Sequence, residues 1–239
     1  MKQILVIMAF FLNLCRVFYF YSRGLVIMSN IKKYLCFCVL LVVASTVLAK
    51  ETAFRHLELS GGISLDVPTH WHILSLQTKK NIVAASEAMI SNSGLEEPKD
   101  THEKLLAVNA TPSPTGAMIS VAVSSPSVLS QADLINSTES DLKSFELNSL
   151  NEMKALENFG GPTVIKMLPA RIDIVNKQYA LVLSYIRRGV NNPEIPWKVE
   201  LYKIPDSTRL IEVILSYRMS SDSVAWKPIL ERVKRSVRF

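Results

Sequence analysis

His70-Trp71-His72 is the one closely spaced histidine pair in a chain with four histidines. Residues two apart on an extended segment project to the same side, so the two imidazoles stand as the first two ligands of a metal ion would. A metal centre needs a third ligand and usually a fourth. His56 or His102 joins the pair only if the fold brings one of them there, and all three cysteines (Cys15, Cys36 and Cys38) lie before residue 50. The favoured reading is a packed Trp71 flanked by two histidines. His70 and His72 stay metal candidates only on the condition of a third ligand.

Ser140-Asp-Leu-Lys143 puts a hydroxyl and an amine one helical turn apart, the spacing of a serine nucleophile activated by lysine. The acyl-transfer sites that use it also carry Ser-Asp-Asn and Lys-Thr-Gly elements, and both are missing from the sequence. Gly-x-Ser-x-Gly, His-Glu-x-x-His, phosphate-loop and dinucleotide patterns are missing too. Asp173, Glu200 and Glu212 are scattered carboxylates that sequence alone does not pair. No catalytic residue is assigned and no cofactor is expected.

Binding chemistry has more to work with. Tyr185 and Tyr217 end matching Leu-Ser-Tyr triplets, and Arg187 follows two residues after the first; together they would rim a ligand cleft. At the C-terminus Lys227, Arg232, Lys234, Arg235 and Arg238 make one helix basic. Cations there suit the negative end of the helix dipole, and they also offer contact to an acidic partner or anionic headgroups. The candidate ligand or partner contacts are therefore Trp71, Tyr185, Arg187, Tyr217, Arg232 and Arg235. Asn109-Ala-Thr111 and Asn136-Ser-Thr138 are glycosylation sequons wherever the host glycosylates.

The chain that must position these residues has 239 residues, 49% of them hydrophobic, with formal net charge +6. Its averages conceal a split. Residues 1–49 hold five basic residues and no acidic one, leaving 22 basic and 21 acidic residues, a net charge of +1, from residue 50 onward. A charge that small argues against nucleic acid as a partner.

From Met28 the leader reads as a secretory signal peptide: Lys32-Lys33, an eleven-residue apolar run from Tyr34 to Ala44, then Val47 and Ala49 at the small-residue positions of a cut after Ala49. The apolar run falls short of the roughly 20 residues of a spanning helix. No cysteine follows the cut, so a lipid anchor is not expected. Residues 1–27 are a second apolar stretch. It is read either as sequence upstream of a true start at Met28 or as one arm of a membrane anchor with 34–48. The remaining domain, 50–239, is cysteine-free, which suits an oxidising compartment.

Within 50–239, Leu57–Val67 alternates apolar and polar residues around Gly61-Gly62, which predicts two strands joined by a tight turn and closed by Pro68. A helix is expected from Leu74 to Ile90, then a polar loop to Thr101. Leu105–Ala110 and Met118–Ser124 pair across the Pro112–Gly116 turn. Ser130-x-x-Asp133 resembles a capping box and opens one long helix to about Asn158, with Ile135, Leu142, Phe145, Ser149, Met153 and Leu156 facing the sheet. Phe159-Gly-Gly-Pro162 stops it. Strands at Thr163–Val175, Gln178–Arg188, Trp197–Ile204 and Arg209–Met219 follow as an antiparallel meander, with turns at Asn176-Lys177 and Pro205–Ser207. Trp226, Ile229, Leu230, Val233 and Val237 give the final helix its apolar stripe.

This order of parts, from Ile63-Ser-Leu-Asp-Val-Pro-Thr-His-Trp71 to the ending Trp226-Lys-Pro-Ile-Leu-Glu-Arg-Val-Lys-Arg-Ser-Val-Arg-Phe239, resembles the PsbP-like superfamily. That superfamily is shared by the photosystem II extrinsic protein, the Ran-release factor and bacterial DcrB-like envelope proteins. The resemblance spans about 54–239 and implies an α+β fold: an antiparallel sheet with helices on both faces, an α/β/α sandwich. It implies a protein that binds others or stabilises assemblies, and it carries no catalytic or binding residue with it. The function expected is that of an exported, non-enzymatic binding or assembly protein of the bacterial envelope. Its partner would be another envelope protein, and its membrane contact peripheral or through an uncleaved N-terminus. The alternatives are a small-molecule or metal sensor with a cleft near Trp71, Tyr185 and Arg187, and a hydrolase using Ser140.

Overall fold

The computed structural model describes residues 52–93, 101–110, 116–189, 192–221 and 223–239. The expected signal peptide, the upstream segment 1–27, the core of the 92–101 loop and the Pro112–Thr115 turn lie outside the described residues. Thr52–Phe239 forms one compact unit.

Alternation drives the opening hairpin. β1 (Phe54–Glu58) and β2 (Ser64–Pro68) pair antiparallel around a one-turn 3-10 helix at Ser60–Gly62. Ile63, Leu65 and Val67 turn inward and are buried. β3 (His72–Ile73) then starts a second sheet with β4 (Thr101–Asn109) and β5 (Ala117–Ser125), after the intervening helix α1 (Leu76–Ser93). β4 begins four residues before the expected Leu105, because His102 and Lys104 face polar neighbours across β5.

The expected single helix from Ser130 is two. Ser130 and Asp133 form a capping box for α2 (Gln131–Ile135), which stops at Asn136. Thr138 and Asp141 then form a second box for α3 (Glu139–Glu157). The break turns Leu134 rather than Ile135 inward: Ile135 stays exposed, and Leu142, Phe145, Ser149, Met153 and Leu156 are half-buried as expected. In each box the cap hydroxyl accepts the N3 amide while the carboxylate accepts the cap amide, satisfying two donors that the helix start leaves open.

The meander follows as β6 (Val164–Val175), β7 (Gln178–Arg187), β8 (Trp197–Asp206) and β9 (Arg209–Arg218), then helix α4 (Ser223–Ser236). Strand order is β3-β4-β5-β9-β8-β7-β6, antiparallel throughout, so the last strand lands beside β5. β6 forms an edge, and its pairing with β7 shifts register between Leu168 and Arg171, around Pro169. A proline with no amide to donate belongs on an edge or at such a bulge. The β8–β9 turn is Ser207-Thr208 and not the expected Pro205–Ser207, since Pro205 and Asp206 pair with Leu210 and Arg209.

Register separates the two faces. Ile211, Val213 and Leu215 of β9 join Ile119, Val121, Val182, Tyr202 and Ile204 in one core with the β1–β2 hairpin and Leu230, Val233 and Val237. Leu134, Leu181, Leu183, Val199 and Leu210 are buried outside that core, on the face where α1, α2 and α3 pack against β4, β7 and β6. The fold is thus α+β, an antiparallel sheet with helices on both faces.

Candidate functional site

α4 sits on the sheet by its apolar stripe, and its charged residues fall along the two margins. Arg232 is spent on packing: its guanidinium lies 4.0 Å from the centre of the Phe54 ring. Lys234 lies 3.3 Å from both Asp173 Oδ2 and Glu231 Oε2, with its ammonium 5.6 Å from the centre of the Tyr202 ring. These contacts fix the helix across β1, β6 and β8.

Beside α4 the sheet carries a polar network. Glu200 on β8 accepts from Lys198 at 3.0 Å and from the Tyr202 hydroxyl at 3.0 Å, with Arg171 at 3.6 Å. Arg171 also donates to Ser184, which is fully buried. Burial pushes the Glu200 carboxyl up, but donation from Lys198 and Tyr202 and the charge of Arg171 outweigh it and hold it below the ordinary value. Burial, with the Glu200 carboxylate alongside, pushes the Tyr202 phenol far up. Tyr217 lines a cavity of about 20 Å³ at this network with Lys198, Glu200, Lys227 and Glu231. That volume is about one water molecule's, too small for a substrate.

At the far end of α4 an open notch of about 470 Å³ lies between the helix and the β6–β7 turn. Asn176 (φ 47°) and Lys177 (φ 68°) both adopt left-handed backbone between paired Val175 and Gln178, the conformation of a type I′ hairpin turn. Lys177, Lys234, Arg235 and Arg238 surround the notch. Arg238 donates to the carbonyls of Arg235 and Val237, and its own backbone pairs with Ser64. Asn176 reaches the carbonyl of Phe239 at 3.4 Å.

The opposite face holds a second opening, a cleft of about 370 Å³ between α1 and the end of α3, lined by Met89, Ile90, Leu156, Pro162 and Arg187. Arg187 lies 5.4 Å from the centre of the Trp197 ring and donates to the carbonyl of Arg188. Burial lowers the pKa of its guanidinium, while burial raises that of the Tyr185 phenol.

The six candidate contacts are therefore not one site. Trp71 is 1% exposed and packs edge to face on Trp226, which makes it core and not a cleft wall. Tyr185 pairs with Val199 on β8, whereas Tyr217 pairs with Lys198, the next residue along. Because successive residues alternate faces, the two tyrosines point to opposite sides of the sheet and rim no common cleft. Arg232 and Arg235 share α4, and only Arg235 lines the notch.

His70 and His72 are both exposed, on either side of buried Trp71. His56 lies 2.9 Å from Asp66, and His102 lies 3.1 Å from the Ser124 hydroxyl. Among the described residues no group of three His, Cys, Asp or Glu side chains is placed to hold a metal. Ser140 and Lys143 are exposed near the start of α3, outside the Thr138–Asp141 capping box. Glu212 pairs with Lys203 at 3.2 Å, so Asp173, Glu200 and Glu212 each face a cation and form no carboxylate pair. Among the described residues no helix is long and apolar enough to cross a membrane.

Sequence reasoning singled out the basic helix but missed Lys177, which it had treated only as a turn residue. The signal was present: a two-residue hairpin turn favours Asn-Gly, and lysine stands in the glycine position.

No family model and no curated protein matches this sequence. Among solved structures the chain is similar to the cyanobacterial PsbP of Synechocystis, CyanoP, at 15% identity and a TM-score of 0.47, over 80% of this chain and 95% of that one. It is similar to LpqN of Mycobacterium tuberculosis, described as involved in cell envelope biogenesis, at 10% identity and a TM-score of 0.43, over 82% and 95%. A Ran-binding protein of Saccharomyces cerevisiae follows at 11% identity and a TM-score of 0.41, over 79% and 96%.

Proposed function

We propose that the chain is an exported, non-enzymatic binding or assembly protein of the envelope that works through a protein partner. One observation carries the non-enzymatic part. The carboxylates and the histidine that come closest to other charged groups are engaged with them: Glu200 with Lys198, Tyr202 and Arg171, Asp173 with Lys234, Glu212 with Lys203, and His56 with Asp66. A general acid or base also needs a substrate-sized opening beside it, and the cavity at Glu200 has a volume of about 20 Å³. Export rests on the leader, with its positive start, short apolar run and small-residue cut site. Chemical crosslinking of the envelope fraction followed by affinity capture tests the reading. A discrete protein partner is expected, together with a mature N-terminus at Lys50. Capture of no macromolecule would contradict it.

A second reading, a small-molecule sensor, is favoured by the cleft between α1 and α3. Its walls are mostly apolar, and Arg187 has no carboxylate within ion-pair distance among the described residues. An amphiphile with one anionic group is the chemistry that fits. A rise in melting temperature with dodecanoate, lost in Arg187→Ala, would support this reading against the first.

A further inference from the structure

We propose that the notch between the β6–β7 turn and the end of α4 is a docking site for an acidic segment of a protein partner, with Lys177 and Arg235 as its two principal cations. The assignment rests on the partner-binding reading above and names the surface that would serve it.

Charge carries the argument. Of the acidic side chains beside the notch, Asp173 and Glu231 are both committed to Lys234, and the main-chain oxygen of Phe239 accepts from Asn176. Lys177 and Arg235 are exposed and have no carboxylate within ion-pair distance among the described residues. Arg238 gives one guanidinium nitrogen to the main-chain carbonyls of Arg235 and Val237. The helix dipole explains cations on the last turn of α4. It does not explain Lys177, which belongs to another element and occupies a left-handed backbone position (φ 68°) that glycine would fill without strain. Strained backbone positions cluster at functional sites, although Ser207 in the β8–β9 turn shares this conformation (φ 54°).

The shape selects the partner. The opening is concave, and Ile174 on its wall is 60% exposed. A segment carrying carboxylates and an apolar side chain meets both features. A flat bilayer surface meets the charge but does not enter a concave opening, and the tip of this hairpin, Asn176-Lys177 beside buried Val175, gives it no apolar residue to insert.

The experiment uses the full-length protein purified from expressing cells. The probe is a fluorescein-labelled peptide of alternating glutamate and leucine, compared with its glutamine counterpart and with phosphatidylglycerol-rich vesicles. The wild-type protein is expected to bind the acidic peptide and to lose affinity with added salt. Lys177→Glu and Arg235→Glu should each weaken binding about tenfold, and Lys143→Glu on exposed α3 should leave it within about twofold. Circular dichroism melts verify that the variants fold, with Lys177→Ala and Arg235→Gln replacing any that do not. Absent peptide binding, equal binding of the glutamine peptide, an equal loss in Lys143→Glu, or notch-dependent binding of vesicles alone would each overturn the assignment. If affinity capture still recovers a partner with both reversals combined, the notch is wrong while the binding reading stands. If the wild-type protein captures none, the reading itself fails.

Discussion

Trp71 and Trp226 meet edge to face, with ring centroids 5.8 Å apart and planes inclined at 68°. The first follows β2 and the second opens α4, so this contact ties the start of the described fold to its end. Arg55 secures the same corner by donating to the carbonyl of Trp71 at 3.0 Å. α4 carries the basic notch, and the tryptophan pair is one of the contacts that set where the helix lies.

Truncating that contact should loosen α4. Trp226→Ala is expected to cost about 3 kcal/mol, the range for removing a large aromatic from a packed site. Gly116→Ala approaches the same ring from the other side: an added Cβ would lie 2.7 Å from the nearest indole carbon. That crowding is expected to cost about 1–3 kcal/mol. Urea denaturation of both variants checks the values, and combining them should cost less than their sum, because the alanine at 226 removes the clash.

The Glu200 network makes stability depend on pH. Glu200 holds its proton less tightly in the folded chain than at its ordinary value of 4.5. On acidification the unfolded chain therefore takes up the proton first. The contribution is complete well above pH 4.5 and is lost as pH falls through the lower folded-state value. Glu200→Gln should lower stability at pH 7 by about 2 kcal/mol and flatten the acid limb of a melting-temperature profile against pH. An acid limb unchanged by the substitution would refute the assignment.

The break between α2 and α3 predicts a local effect. Thr138→Ala removes the hydroxyl that accepts the Asp141 amide and should destabilise by about 1 kcal/mol. Hydrogen exchange should rise in the first turn of α3, with little change in α4. A uniform rise across the domain would show instead that the two helices behave as one.

Lys177→Gly separates stability from binding. Glycine relieves the left-handed strain at 177, and this gain is partly offset by the greater freedom of the unfolded chain. The net expected effect is about 0.5–1 kcal/mol of stabilisation, with weaker capture of acidic peptide. Loss of both stability and binding would make Lys177 a structural residue.

Much of this fold was legible because period-two and helical stripes are strong signals. The β1–β2 hairpin, the meander and the stripe from Trp226 to Val233 stand where the pattern puts them, whereas Val237, though buried, lies one residue beyond the end of α4 because Arg238 bridges to Ser64. The helix break at Asn136–Thr138 was missed although Thr138-x-x-Asp141 repeats the spacing of Ser130-x-x-Asp133; the apolar spacing ran through it and concealed the second start. The facing of Tyr185 and Tyr217 was not legible, since two connections separate them and the one from 188 to 196 is long enough to leave strand register free. Candidate site residues suffered the same way. The basic composition of α4 is plain in sequence, but only the fold shows that Arg232 stacks on Phe54, that Lys234 is neutralised, and that Lys177 joins Arg235 from a distant hairpin.

A partner protein held at the notch would lie within reach of Ile174. A photo-crosslinking amino acid at position 174, on the notch wall, tests this most directly when compared in intact cells with the same group at exposed position 147 on α3. A discrete crosslinked protein is expected from 174, joined through a segment rich in aspartate or glutamate, and none from 147. No product from 174, or the same set of products from both positions, would contradict it.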